Sequence, residues 1–110
     1  EKLEIVSLYV QPYQNQSGWN VTMMVRNTGT TTTSIDEVFI NSVPSSQWGS
    51  GNNVNPTPPI TVNPGNSTTI KITLKKGSKI GTTILNSGVS IEVKLHTTGG
   101  REYPKLTNLP

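Results

Sequence analysis

The sequence predicts an all-β domain, an immunoglobulin-like antiparallel β-sandwich of about seven strands, and three observations carry that expectation. Trp19, Val21, Met23 and Val25 alternate with Asn20, Thr22 and Arg26, the period of a half-buried strand, before Asn27-Thr28-Gly29 stops it. Ile70, Ile72 and Leu74 alternate in the same way with Thr69, Lys71 and Thr73, behind a Val62-Asn63-Pro64-Gly65-Asn66 turn. Alanine is absent, and Thr, Ser, Asn, Gly and Pro take its place; that mixture disfavours helix and suits sheets and turns.

The elements follow in order. The first strand is expected over Leu3 to Val10, with a phase slip near Val6-Ser7: Leu3 and Ile5 share one face, Leu8 and Val10 the other. A bulge, or a strand crossing between sheets, explains such a slip. Gln11 to Gly18 reads as a polar loop into the Trp19 strand. The Thr30–Thr33 run leads to a strand over Ser34 to Ile40, with Ile35, Val38 and Ile40 inward, another slip between them, and Phe39 outward. Asn41 to Pro59 shows no period and is read as a long irregular segment. Ile60 to Val62 and Ser67 to Lys75 are strands, and Ile80, Ile84 and Leu85 have the spacing of a short helical turn within Gly77 to Gly88. Val89, Ile91, Val93 and Leu95 alternate with Glu92, Lys94 and His96; Thr97-Thr98-Gly99-Gly100 then turns into Arg101 to Leu106, with Tyr103 inward.

One hundred and ten residues form a single domain, 1–110, large enough for one core. Nine Lys or Arg face six Asp or Glu, a net charge of +3. Lys71, Lys75, Lys76 and Lys79 are the only basic cluster, read as a solvated strand end that discourages edge pairing. Nucleic-acid binding would need more Arg and an aromatic platform among the lysines, so no nucleic-acid partner is expected. Without cysteine there is neither a disulfide nor a thiolate metal site. His96, the one histidine, falls on the polar phase of its strand with no ligand partner in its own motif and is read as a surface residue. Asp36 and Glu37 are adjacent, so a regular strand would point them to opposite faces. Gly49-Ser50-Gly51 lacks the setting of a nucleotide loop, and there is no Gly-x-Ser-x-Gly elbow. No enzyme, metal or cofactor is expected.

Three sequons, at Asn15, Asn20 and Asn66, are candidate glycosylation sites; Asn55-Pro56-Thr57 is excluded by its proline. Trp48 lies in a Gly/Asn/Ser loop, where it would either stack on a sugar or dock a neighbour, or else fold down over one end of the sandwich. Phe39 is an outward aromatic in a chain short of exposed hydrophobes. With Trp48 it is the candidate interface.

Leu3-x-Ile5, the Val21-to-Thr30 segment, Ile35-Asp36-Glu37-Val38-Phe39-Ile40-Asn41-Ser42, Val62-Asn63-Pro64-Gly65 with Ile70 to Leu74, Val89 to Leu95 and Gly99-Gly100-Arg101-Glu102-Tyr103 together resemble the soluble domain of the archaeal archaellin/type IV pilin-like superfamily. The resemblance implies a domain displayed at the cell surface, extracellular or pseudoperiplasmic, and tethered by an N-terminal helix that would precede Glu1; the sequons would make it a glycoprotein. Its implied role is that of an archaellum F- or G-type accessory protein, a stator contacting the surface-layer protein in support of motility. A pilin or archaellin filament subunit stands second and a carbohydrate-binding or adhesion module third. Protein partners are implied, with homo- or hetero-oligomers, and membrane contact only through that helix.

Overall fold

The computed structural model describes residues 1–13 and 15–110; Gln14, within the expected Gln11–Gly18 loop, lies outside the described residues. Among the described residues eleven strands and one 3-10 turn follow in order: β1 Leu3–Pro12, β2 Gly18–Asn27, β3 Thr33–Ile40, β4 Val43–Pro44, the turn Ser45–Gln47, β5 Asn53–Asn55, β6 Ile60–Val62, β7 Ser67–Lys75, β8 Lys79–Ile80, β9 Thr83–Ile84, β10 Ser90–Thr97 and β11 Glu102–Asn108. Two sheets form the expected antiparallel sandwich, one ordered β1-β2-β7-β5 and the other β11-β10-β3-β4, with β6 also on β3. β8 and β9 form a separate small hairpin.

The alternating residues meet between the sheets. Val21, Met23, Val25, Ile70, Ile72 and Leu74 from one sheet and Ile35, Val38, Ile40, Val93 and Leu95 from the other are all fully buried, with Ile91 nearly so. Val89 packs against this core from a half-buried position, and so does Tyr103 on its inward phase. The slip in the first strand is a bulge: register shifts between Ile5 and Ser7 against β2.

The two turn motifs flanking the first pair of strands meet in space. The buried Asn27 amide donates to Thr31 O at 2.8 Å and Val62 O at 2.9 Å, and its Oδ1 accepts from Gly29 N at 2.9 Å. Asn27 N donates to Asn66 O, and Gly65 N to Asn27 O. One side chain thereby pins the approach to β3 and the end of β6 to the end of β2.

Two expectations need correction. Asn41 to Pro59 is not irregular throughout, since it contains β4, the 3-10 turn and β5. Asn41 and Ser42, at φ of 49° and 67°, turn β3 into β4 with Ile40 paired to Val43. Positive φ at both central residues is what a type I′ two-residue hairpin turn demands, and Asn tolerates it well. Nor is there a helical turn in Gly77 to Gly88. β8 and β9 pair Lys79 with Ile84 and Ile80 with Thr83 around Gly81, which sits at φ 59°. Ile80 and Leu85 are buried and Ile84 is 53% exposed, so the apolar spacing belongs to a hairpin rather than one helix face.

Candidate functional site

Register places an extra residue in β3. Glu37 pairs with His96 and Ile35 with Thr97, leaving Asp36 as the bulged residue. With Ile35 and Val38 both inward, the bulge turns Asp36 and Glu37 together to the outer side of the sheet. The expectation that these carboxylates take opposite faces is therefore wrong, because it assumed an unbroken period of two.

Around the bulge the outer face of β11-β10-β3 collects most of the chain's ionic contacts. Asp36 Oδ1 lies 2.6 Å from His96 Nδ1, so His96 has a carboxylate partner that its own motif lacks. That hydrogen bond raises the imidazole above its ordinary value of 6.5; desolvation is the next-largest effect and opposes it, and the negative charges of Asp36 and Glu102 add to the rise while Lys94 subtracts from it. Phe39 meets the His96 ring edge-on, centroids 6.4 Å apart, and Lys94 Nζ lies 5.3 Å from the Phe39 centroid. Lys94 also pairs with Glu102 at 3.5 Å. Phe39 thus points outward as expected but is half-buried under its neighbours. On β11, Pro104 is exposed and Leu106 is 72% exposed on the same phase.

Beside the bulge is a groove of about 320 Å³ lined by Asp36, Glu37, Ser45, Ser46, Asn52, Asn53, Val54, Thr57 and Pro58. It opens where β3 has no strand partner on that edge among the described residues, for β6 pairs with Thr33–Ile35 and β4 with Phe39–Ile40. Glu37 Oε1 closes that gap by accepting from Val38 N at 2.9 Å, Ser45 Oγ at 2.7 Å and Ser45 N at 3.3 Å. Glu37 is thereby committed to structure, whereas Asp36 stays exposed.

Trp48 is no interface residue. It is 1% exposed, its Nε1 donates to Val43 O at 2.7 Å, and its carbonyl accepts from the buried Asn52 amide at 3.0 Å. The loop aromatic folds down as a plug, the second of its two expected roles. Of the three sequons, Asn15 and Asn66 are exposed. Asn20 is half-buried, with Oδ1 accepting from Tyr13 Oη at 3.3 Å and Thr73 Oγ1 at 3.5 Å.

Among the described residues no three His, Cys, Asp or Glu side chains group to hold a metal. The softer donors also diverge. Met23 is fully buried, Met24 is 41% exposed on the outside of β2, and His96 is on the outside of the other sheet. Packed sheets lie about 10 Å apart, so Met24 and His96 cannot share an ion.

No protein-family model matches the chain, and no curated protein sequence matches it. Among solved structures, one described as the apo PCuAC domain from PmoF1 is similar over 100% of this chain and 94% of its own, with a TM-score of 0.62 and 14% identity. At that identity the likeness concerns the fold. It overturns the resemblance to archaellins and pilins, and with it the stator, filament-subunit and adhesion readings and their motility vocabulary. The physical reason is that Asn-Thr-Gly stops, Pro-Gly turns and period-two strands are what any antiparallel sandwich requires.

Proposed function

We propose that this chain is a non-enzymatic binding domain whose working surface is the outer face of β11-β10-β3, and that its ligand there is a polypeptide with a basic surface. The observation that carries the proposal is the β3 bulge, which sets exposed Asp36 against His96, itself flanked by Phe39 and paired across the strands with Glu102. Negative charge at the rim and apolar area at Pro104 and Leu106 together suit protein recognition. The absence of catalysis belongs to the same proposal: His96 and Asp36 form a partly exposed pair, with no nucleophile hydrogen-bonded to the imidazole among the described residues. A photo-crosslinking residue at Phe39, introduced in the source cells, should capture a defined protein, while the same residue at exposed Asn86 should not. Equal labelling from both positions, or none from Phe39, would sink the idea.

A second reading is favoured by one detail. A ring nitrogen held by a carboxylate is the usual support of a metal-binding imidazole, and here Asp36 holds Nδ1, while Nε2 has no hydrogen-bond partner among the described residues. Copper is the metal that the neighbour's name points to, but thioether ligation does not fit the divergent methionines. Metal handling here would rest on His96, with Glu102 directly across the strand pair. Titration with Cu(II) alone should then broaden the His96 ring resonances in the wild type, and uptake should vanish in His96→Gln. Uptake unaffected by that substitution removes the reading.

A further inference from the structure

The two broad outer faces of the sandwich carry opposite charge. On the β1-β2-β7-β5 side Arg26, Lys71 and Lys75 are exposed, and Glu4, in register with Arg26, is the one carboxylate on those strands. On the β11-β10-β3 side Asp36, Glu37, Glu92 and Glu102 take the outer phase with Lys94 and His96, so four of the six carboxylates of the chain sit on one face. Lys105 is on the other phase of β11, opposite Val93. Each face also has an exposed apolar spot: Tyr9 and Met24 at 51% and 41% on the basic side, Leu106 at 72% on the acidic side.

We infer that the occupant of the acidic face is a second copy of this chain, docked through its basic face. The inference rests on the docking role proposed above for β11-β10-β3 and names the partner. Charge complementarity selects this arrangement over a two-fold one, because like faces would set carboxylates against carboxylates or lysines against Arg26. The size is sufficient: principal extents of 41, 24 and 20 Å give any side containing the long axis the roughly 800 Å² per partner of a standard interface. Unlike faces make the contact heterologous, so each bound copy still offers a free face for the next. Glu37 contributes little, its carboxylate being taken by Ser45, and Asp36 and Glu102 supply the reachable negative charge.

Sedimentation velocity of the chain tests this at ionic strengths of about 0.01 M and about 1 M, where the Debye length is about 30 Å and about 3 Å. At low salt the wild type should sediment increasingly fast with concentration, and at high salt as a monomer. Arg26→Glu with Lys71→Glu makes both faces acidic, and Asp36→Lys with Glu102→Lys makes both basic. Each double variant should stay monomeric at low salt with an unchanged circular dichroism spectrum, and an equal mixture of the two should associate again. If a double variant does not fold, Lys71→Glu and Glu102→Lys alone should weaken association in the same sense. A wild type that is monomeric at low salt, or a mixture that does not associate, overturns self-docking. Capture of a different protein from Phe39, with a monomeric wild type, would overturn the inference alone and leave the docking face standing.

Discussion

Asn27→Ala should destabilise the domain by about 1–3 kcal/mol, read as a lower urea midpoint with an unchanged slope. The substitution strands two carbonyls and one N–H that the amide now satisfies, and Val62 O is paired to it at a buried position. A midpoint within error of the wild type would mean that water replaces the amide freely. Locally, the sequence showed Asn27-Thr28-Gly29 as a strand stop and Val62 to Asn66 as a turn. That one side chain joins them across 35 residues was not legible, because no local pattern carries a long-range hydrogen bond. Trp48 was half legible: its loop composition left stacking and burial equally open, and Val43 O together with Asn52 decides for burial. The Asp36–His96 contact was within reach. Ile35 and Val38, both inward and three apart, already break the period of two, and a bulge between them carries both carboxylates outward.

At the scale of elements, β2, β7 and β10 were legible because each is long and half-buried, so the period of two is written in eight or more residues. β4 and β5, of two and three residues, are too short to show any period. The β8–β9 hairpin was misread for a related reason. Apolar residues at 80, 84 and 85 come close to one helix face, but they suit equally a hairpin that delivers Ile80 from one arm and Leu85 from just beyond the other and leaves Ile84 outside. Ile80→Ala should therefore lower stability by about 2–5 kcal/mol, the range for emptying a buried aliphatic site. A fluorescence-monitored urea titration showing a loss below about 0.5 kcal/mol would indicate that the hairpin is peripheral and collapses around the smaller side chain.

For the whole molecule, pH acts almost entirely through the surface. The buried polar groups are Asn27, Thr33, Asn52 and Thr97, none of which titrates as an acid or base. All six carboxylates lie outside that set. Acid unfolds proteins whose carboxylates are tied into buried pairs, since those groups must take up protons as pH falls. Among the described residues the core has no such group, so the melting temperature should move by less than about 8 °C between neutral pH and about pH 3, the equivalent of about 1 kcal/mol for a domain of this size. His96 adds a titration with the opposite sign. Its folded value is raised, chiefly by the hydrogen bond to Asp36, so its contribution is complete below about pH 6.5 and fades as pH rises through the folded value. Its exposure keeps the effect small, as for other surface pairs. Stability should accordingly be slightly higher near pH 6 than near pH 8, and His96→Gln should flatten that slope without changing the acid side. Calorimetric scans of both proteins across this range decide it. A collapse by tens of degrees in acid would place essential ion pairs at Asp36, Glu37 or Glu102, and a slope that survives His96→Gln would assign the basic limb to another group.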